Sequence, residues 1–372
     1  MLCDSEKCTG CAACYNACSF DAISMSEDDL GAVKPVIDLN KCKECGLCEK
    51  VCPVILDNKK NKPIKCYAAY TKNEKDVKTV TSGGVATAFG RYVLSENGVV
   101  YGTEFDQTAK FSRAEDIEML EKFKGSKYVY VFPDKIYQTV KNDLKNGRTC
   151  LFVGTPCQID GLKSFLRKEY ENLITVDLIC HGTPPFKYLK EHLMAFDGKY
   201  KKVSFRGEKE FKLICSDENG TILFEKPHHL DEYYVSFLEA LTYRENCYVC
   251  SYAKPERVSD LTIGDFWGLD NSALNGYKGK KSVVLINTER GKAFFDKASE
   301  LLVFEEREVH EAIRGNAQLR NPSKPHRKRE IFKREYKKSG FKTSMRKSGI
   351  SFCVMMNRIK FCIKNIFKHS KN

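Results

Sequence analysis

The sequence has few features that would place it in or across a membrane. Its first residues, MLCDSEKC, show no basic start followed by an apolar run, so we expect no signal peptide. The longest uncharged apolar-rich stretch near the end, SGISFCVMMN, is too short to span a bilayer. We therefore expect a cytoplasmic protein, with at most a peripheral position at the inner face of the membrane. The 372 residues, 42% of them hydrophobic, allow two or three domains with a sizeable core.

Excess positive charge is absent from most of the chain. Residues 326–372 contain fifteen Lys or Arg and two Glu, which accounts for the whole formal charge of +13. Residues 1–325 are therefore neutral overall. A neutral body argues against nucleic acid as a partner.

Cysteine is abundant, with eighteen residues. In a reducing compartment, so many thiols indicate metal ligation or redox chemistry rather than a disulfide framework. Eight of them lie in two similar runs, CTGCAACYNACS and CKECGLCEKVCP. Cys3 lies outside this pattern, and we interpret it as a bystander.

The two runs have the spacing of bacterial ferredoxins. Three cysteines at intervals of three hold one 4Fe–4S cube, while the fourth cysteine of each run ligates the other cube. The predicted ligands are Cys8, Cys11, Cys14 and Cys52 for cluster 1, and Cys42, Cys45, Cys48 and Cys18 for cluster 2. Zinc is the alternative, but zinc sites use separated Cys-x2-Cys pairs rather than a triplet with a distant fourth ligand. Residues 1–56 are thus predicted to form a two-cluster ferredoxin domain of the small α+β type, with AISM and PVID as its strands.

Residues 64–320 show a different sequence pattern. Strand-like runs such as KCYAAYT, VVYGTEF and RTCLFV alternate with helix-like runs, which predicts an α/β domain with a largely buried sheet. The segment TSGGVA precedes a predicted helix, and glycines at a helix N-terminus suit a phosphate, although an ordinary turn is the alternative. Cys66, Cys150 and Cys215 lie in strand-like runs, and we expect them to be buried.

Four more cysteines lie at loop positions of this domain. VGTPCQ and CHGTPP stand where an apolar strand ends and a helix begins, which is where α/β sheets bind ligands. Cys157 and Cys180 of these loops, with Cys247 and Cys250 of NCYVC, supply enough thiols for a third cluster; zinc or a buried pair are the alternatives for the last two. His181 could move a proton or simply stabilise its turn. We expect Trp267, the only tryptophan, to be a core residue at a strand end.

The last segment, 321–372, begins as a basic run after a proline-containing linker. Apolar residues then recur at helical spacing between cations, which predicts a basic amphipathic helix over 350–368. It could lie on an anionic membrane surface, or dock on the body or on a partner subunit.

Taken in order, the ferredoxin runs and TSGG, KGSKYV, GTPCQ, CHGTPP, NCYVC and SDLTIGDFWG resemble one family. It is the beta subunit of the hydrogenases and dehydrogenases of coenzyme F-420 (F420), with an N-terminal ferredoxin extension. The likeness covers about residues 1–270. It implies a larger α/β flavin-binding domain, FAD, and a third 4Fe–4S cluster held by cysteines such as those in CHG and NCYVC. The residues implied to lie near the flavin or its phosphates are Ser82, Gly83, Gly84, Ser126, Lys127, Gly154, Thr155 and Pro156.

These features together predict an iron–sulfur flavoprotein oxidoreductase. Electrons would pass between a ferredoxin-like carrier or the deazaflavin F420 and a substrate, by way of the clusters and FAD. One alternative is a non-catalytic electron-transfer subunit of a larger complex. Another is a membrane-associated reductase in a glycan or cell-surface pathway. No residue is assigned a catalytic role from the sequence, and the substrate, the direction of electron flow and the oligomeric state are left open.

Overall fold

The computed structural model describes residues 2–207 and 210–369. Strands of this part of the chain are β1 (Ile23–Glu27), β2 (Val33–Ile37), β3 (Lys65–Thr71), β4 (Val99–Asp106), β5 (Thr108–Ala114), β6 (Cys150–Gly154), β7 (Leu173–Leu178), β8 (Lys202–Ser204), β9 (Lys212–Ser216), β10 (Ile222–Pro227), β11 (Leu261–Asp265), β12 (Ser282–Ile286) and β13 (Leu302–Arg307). Its α-helices are α1 (Ala13–Ala17), α2 (Leu47–Lys50), α3 (Pro53–Leu56), α4 (Glu74–Thr79), α5 (Val85–Ser95), α6 (Ile117–Glu121), α7 (Ile136–Lys145), α8 (Pro156–Leu166), α9 (Phe186–His192), α10 (Glu232–Leu238), α11 (Glu245–Tyr248), α12 (Glu289–Ala298), α13 (Val309–Gly315), α14 (Arg329–Ser348) and α15 (Ile350–His369). The predicted strands and helices of the body all form, within a few residues of their expected ends.

The N-terminal segment is a small unit around two cysteine loops. β1 and β2 pair as an antiparallel ribbon, with Ile23 opposite Ile37. α1 and α2 each contain the third cysteine of a triplet, Cys14 and Cys48, and α3 begins directly after Cys52. The two predicted strands are therefore present, extended by one or two residues.

A mixed sheet of eight strands forms the body. Its order is β13-β3-β12-β11-β7-β6-β4-β5. The four strands β4, β6, β7 and β11 are parallel neighbours, whereas the strands on both sides of them pair antiparallel. Because the parallel strands end at the same edge, the loops after β6, β7 and β11 meet there.

Helices cover both faces of this sheet, as the near-continuous apolar strands require. α5 and α12 bury Phe89 and Phe295 on one face. α7 and α8 bury Tyr137 and Ile159 on the other, in a core that also takes in Cys11 of the ferredoxin segment. Cys66, Cys150 and Cys215 are fully buried, which confirms the prediction for them.

A second, three-stranded antiparallel sheet of β8, β9 and β10 packs with α9, α10 and α14 in a further core. The first helix of the C-terminal segment belongs to this core, because Phe332, Tyr336, Phe341 and Met345 of α14 are all buried. The helix changes direction at Gly340, whose φ of 71° is favourable only for glycine. The basic run of the C-terminal segment thus forms a helix, α14, that docks on the body.

α15 divides its apolar side chains between two faces. Ile350, Cys353 and Val354 pack towards the body, and the Asn357 amide donates to the backbone oxygen of His229 at 3.0 Å. A second stripe of this helix is exposed to solvent, with Phe352, Met355, Met356, Ile359 and Ile363 between 36% and 62% accessible. In the part of the chain that the structure describes, none of the helices combines the length and apolar character that crossing a bilayer requires.

Candidate functional site

Both cysteine triplets fold into the same left-handed loop. The backbone has positive φ at Gly10 and Ala12 in the first triplet, and at Glu44 and Gly46 in the second. Ala12 and Glu44 carry side chains that disfavour this conformation, so each loop is held there by its surroundings. Such turns aim successive N–H groups inward and create an anion-binding concavity. The sequence repeat is therefore also a structural repeat, of the kind that could surround thiolate-bound iron.

The four cysteines predicted for cluster 1 lie together. The thiol of Cys14 interacts electrostatically with those of Cys8 and Cys52, and Cys11 interacts with Cys8 and Cys14. Cys3, interpreted as a bystander, lies beside two of these cysteines. Its thiol hydrogen-bonds to both Cys8 and Cys52, and these bonds lower the pKa of Cys52 to about 6 and that of Cys8 to about 7. Cys3 thus contacts two of the predicted ligands, a relation that the spacing alone did not indicate.

The cysteines predicted for cluster 2 lie on the outer side of this segment. Cys45 is exposed, whereas Cys18, Cys42 and Cys48 are half-buried. Cys14 lies within electrostatic range of Cys48, which sets the two groups side by side. Cys18 and Cys52, the fourth cysteines of the two runs, share an extended backbone after a short helix.

The four loop cysteines considered for a third cluster line one cavity of about 390 Å³, which we name the thiol cavity. They are Cys157, Cys180, Cys247 and Cys250. Burial raises the pKa of Cys157, Cys180 and Cys250, the last to about 12. Since thiolates are the form that binds metals, loading this cavity would displace protons. Among the described residues, no three His, Cys, Asp or Glu side chains converge on a single point as one metal ion requires.

Part of the thiol cavity wall comes from the ferredoxin segment. Thr9 of the first cysteine loop and Pro53, which follows Cys52, both line it. Three hydrogen bonds tie this segment to the body near the cavity: Tyr130 OH to the Gly10 oxygen at 2.6 Å, Arg244 to the Thr9 oxygen at 2.6 Å, and Asn58 to Asp160 at 2.6 Å. Cluster 1 is therefore the predicted cluster that faces the body.

A second cavity, of about 300 Å³, opens at the edge where the parallel strands end, and we name it the strand-end cavity. Six of the eight residues expected near a flavin line it, namely Ser82, Gly84, Ser126, Lys127, Gly154 and Thr155. The other two do not. The Gly83 N–H points to the Ser282 hydroxyl at 2.9 Å, and Pro156 lines the thiol cavity instead.

One end of the strand-end cavity is suited to an anion. α5 begins there at Gly84, and no side chain caps its first turn, so bare N–H groups and the helix dipole face the cavity. The Lys127 ammonium donates to the backbone oxygens of Phe123 and Lys124 at 2.8 and 3.1 Å. No carboxylate of the described residues forms an ion pair with it, and burial lowers the pKa of Lys127 to about 7.

The loop that carries Lys127 is anchored from behind. Lys124 contacts Asp76 at 2.8 Å, and Asp76 also pairs with Arg91 at 2.7 Å. The hydroxyls of Thr81 and Ser126 lie 3.2 Å apart, which joins the TSGG loop to the KGSKYV loop. Asp76 therefore links α4, α5 and the Lys127 loop.

The two cavities share a wall. Thr155, Cys180, His181, Gly182, Thr183 and Arg244 line both of them. Gly182 stands at φ 127°, and a side chain there would meet the Tyr243 ring at 2.4 Å. Trp267 lines the strand-end cavity and is 47% accessible, so the prediction that it belongs to the core was wrong.

Two arginines at these cavities carried no recognisable signal in the sequence. Arg206 reaches Asp265 at 2.7 Å and the Tyr128 hydroxyl at 3.0 Å, on the wall of the strand-end cavity. Arg244 stands in the shared wall, three residues before Cys247. Neither belongs to a motif, because the residues that they contact are distant along the chain.

Two parts of the chain match the models of known families. Residues 147–312 match the model for the C terminus of the beta subunit of coenzyme F420 hydrogenase/dehydrogenase, and residues 7–55 match the model for a 4Fe-4S dicluster domain.

Three curated relatives are similar to the chain. An uncharacterized protein of Methanocaldococcus jannaschii is 25% identical over 79% of this chain and 87% of its own length. Coenzyme F420-dependent sulfite reductase of the same organism is 29% identical over 49% of this chain and 28% of its own length. The F subunit of the F(420)H(2) dehydrogenase of Methanosarcina mazei is 20% identical over 47% of this chain and 53% of its own length.

The chain thus spans about a quarter to a half of the two relatives with a named activity. The dicluster match and the relatives establish an iron–sulfur electron-transfer protein of oxidoreductase ancestry. Taken with the ordered motifs and the α/β body, they show that residues 147–312 are similar to the C terminus of coenzyme F420 hydrogenase/dehydrogenase beta subunits and residues 7–55 to 4Fe-4S dicluster domains.

Proposed function

We propose that this protein is an iron–sulfur flavoprotein oxidoreductase that links a one-electron carrier to a two-electron substrate. The observation that carries the proposal is the adjacency of the two cavities, one lined by four thiols and the other by the strand-end loops, with the ferredoxin segment closing the first. This arrangement supports a linear order of centres. Cluster 2 stands outermost, and cluster 1, the thiol cavity and the strand-end cavity follow.

The thiol cavity suits a third 4Fe–4S cluster. Cys157, Cys180, Cys247 and Cys250 would hold it, and it would supply one-electron transfer. The four thiols surround a volume, and no three acidic, His or Cys side chains of the described residues converge on one point. This arrangement favours a cluster over a single zinc ion. The surroundings are largely buried, which excludes water from the centre and strengthens its electrostatic interactions.

FAD suits the strand-end cavity. A flavin accepts two electrons as hydride and releases them singly, so it joins the two kinds of chemistry. Lys127 and the uncapped start of α5 would hold its phosphates, and Ser126 would offer a hydroxyl. His181 and Trp267, both accessible to solvent in the cavity, would border the hydride acceptor or donor. We propose F420 or a ferredoxin-like protein as the external redox partner.

Anaerobic purification followed by iron, sulfide and flavin analysis tests this proposal. We expect about twelve iron atoms per chain, since each cube holds four, and one FAD. Replacing Cys247 and Cys250 by Ala should lower the iron content to about eight while FAD remains. Lys127→Met should lower the flavin content and leave about twelve iron atoms.

Two results would contradict the proposal. Eight iron atoms without flavin in the wild-type protein would favour the non-catalytic electron-transfer subunit, in which the body only docks the ferredoxin segment to a complex. Zinc in place of iron at the thiol cavity would remove the link between the ferredoxin segment and the flavin.

We also propose that the exposed stripe of α15 rests on an anionic membrane surface. Its apolar side chains are accessible, Arg358 and Lys360 beside them are exposed, and residues 350–372 contain no Asp or Glu. Arg358→Glu with Lys360→Glu should abolish flotation with vesicles that contain phosphatidylglycerol, whereas the same charge change at Lys338 and Lys342 of α14 should not. Flotation that is equal for both pairs would refute this contact and favour a partner subunit on the same face.

A further inference from the structure

Arg244 is a buried cation that has no carboxylate partner among the residues that the structure describes. Its side chain is 4% accessible. The guanidinium donates to the Thr9 backbone oxygen at 2.6 Å and to the Thr183 hydroxyl at 3.0 and 3.2 Å, and it lies 4.0 Å above the Tyr130 ring. All of these partners are neutral. Burying a charge that nothing compensates is costly, so such an arrangement indicates that an anion belongs beside it.

The other buried arginines of the described chain follow the usual rule. Arg257, which lines the same thiol cavity, pairs with Asp177 at 2.8 Å. Arg329 pairs with Glu245 at 2.7 Å. Arg244 alone among the three has no acidic side chain within ion-pair distance, although each of the three is at most 5% accessible.

The position of Arg244 shows which groups its charge reaches. Thr9 follows Cys8 directly, and Arg244 interacts electrostatically with the Cys8 thiol. On the other side it interacts with Cys157, Cys180 and Cys247. The residue therefore stands between the cysteines predicted for cluster 1 and those of the thiol cavity. Cys45, the exposed member of the cluster 2 group, lies on the outer side of the ferredoxin segment.

We propose that Arg244 is the fixed countercharge shared by cluster 1 and the cluster of the thiol cavity, and that it raises the reduction potentials of both above that of cluster 2. The inference rests on the function proposed above. Each cluster gains negative charge when it is reduced, and a fixed cation stabilises the reduced form more than the oxidised form. Electrons that enter at cluster 2 would then be drawn inward, towards the shared wall and the flavin.

Redox titration followed by electron paramagnetic resonance tests this inference on the full-length, cluster-loaded protein. In Arg244→Gln, which keeps a hydrogen-bonding side chain without its charge, cluster 1 and the cavity cluster should become harder to reduce. We expect the ratio of reduced to oxidised cluster at a fixed potential to fall about tenfold, which is about 59 mV for a one-electron couple. Cluster 2 should be unchanged, and Arg244→Lys should restore most of the potential.

A matched control removes the ion pair of Arg257, an arginine that lines the same cavity. The double variant Arg257→Gln with Asp177→Asn leaves the net charge unaltered, so the potentials of all three clusters should shift much less than those of the two inner clusters do in Arg244→Gln. If Arg244→Gln assembles no clusters, Arg244→Lys and Arg244→Met are compared instead, and the retained charge should again give the higher potentials.

The outcomes separate this inference from the proposed function. Wild-type protein with eight iron atoms overturns the third cluster itself. Twelve iron atoms in Arg244→Gln with unchanged potentials, or an equal shift in all three clusters, overturns the role of Arg244 while the proposed function stands. A fall in the reduction potentials of cluster 1 and the cavity cluster, with that of cluster 2 unchanged, supports the role of Arg244.

Discussion

Replacing Gly161 by Ala tests how closely the ferredoxin segment is seated on the body. Gly161 lies in α8, four residues and about one turn after Cys157. A Cβ at this position would stand 2.7 Å from the Cys11 Cβ, 3.0 Å from the Cys11 sulfur and 3.1 Å from the Tyr137 hydroxyl. Carbon atoms in ordinary contact are about 3.5–4.0 Å apart, so the two segments would have to separate by about 1 Å.

Neither neighbour of Gly161 can move aside easily. Tyr137 is fully buried, and its hydroxyl donates at 2.8 Å to the backbone oxygen of Gln158, which lies in α8 with Gly161. Cys11 is buried and would be fixed by its iron. We therefore expect overpacking to cost about 1–3 kcal/mol. Helix propensity alone would instead make Gly161→Ala favourable by about 1 kcal/mol, so the two arguments predict opposite signs.

The assay is the apparent melting temperature of the anaerobically prepared protein, with iron content as the second measurement. The overpacking cost less the helix-propensity gain leaves a net loss of up to about 2 kcal/mol, so Gly161→Ala should lower the melting temperature by up to about 4 °C and loosen cluster 1. Gly90→Ala in α5 is the comparison, because its new Cβ would stand 2.6 Å from the buried Leu120 side chain and would crowd the core of the body without touching the ferredoxin segment, so it should leave the iron content unchanged. A higher melting temperature for Gly161→Ala would refute the close contact between Cys11 and α8.

Three further predictions concern charged groups. Because the pKa of Lys127 is lowered to about 7 by burial, this side chain loses its charge as pH rises, so the affinity of the flavin-free protein for FAD should fall about tenfold per pH unit above pH 7; Lys127→Met should make affinity weak and independent of pH. Burial opposes ionisation of Asp76, but hydrogen bonds from Arg91 and Lys124 outweigh it and lower its pKa. The stability that the Asp76 carboxylate contributes is therefore present above about pH 4 and is lost as pH falls through the lowered pKa. Asp76→Asn should cost about 3–5 kcal/mol at pH 7. Arg329→Gln should cost about 1–3 kcal/mol, because Glu245 keeps only its 3.5 Å contact with Lys333 and α14 loses its hydrogen bonds to the Leu241 and Tyr243 oxygens before Cys247.

Exposed neighbours provide the controls for these variants. Titration of FAD binding by fluorescence, with Lys122→Met as reference, checks the first. Thermal unfolding between pH 3 and pH 7 checks the second, beside Asp116→Asn at an exposed helix cap. Arg327→Gln, at an exposed position, is the control for Arg329→Gln. An unchanged pH slope in Lys127→Met, or melting temperatures equal to the controls in the other two, would contradict the roles proposed for these side chains.

Local pattern was sufficient for much of the architecture. The β-strands of the body and the helices after VGTPCQ and CHGTPP are where the apolar runs and glycines predict them. The tail shows the limit. Its basic run gave no indication of core positions, yet Phe332, Tyr336, Phe341 and Met345 are core residues. The pattern was hidden because Gly340 redirects the helix, so no single helical period connects the buried positions.

The surroundings of Trp267 and Cys3 could not be predicted from the sequence, for a related reason. A tryptophan at a strand end packs into the core in most proteins, but in this chain the strand ends at an open cavity. Cys3 lies outside the ferredoxin spacing, and only the return of the chain at Cys52 brings it to the predicted ligands.

By itself the sequence determined that this protein has two ferredoxin loops and an α/β body, because those features depend on spacings of two to four residues and on the alternation of strands and helices. Only the tertiary structure decided that Cys157, Cys180, Cys247 and Cys250 share one cavity and that this cavity adjoins the strand-end loops. It also decided that Arg244 has no acidic partner within residues 2–207 and 210–369. These relations join residues that are tens to hundreds of positions apart, and their proximity follows from the order of strands in the sheet, which no local pattern contains.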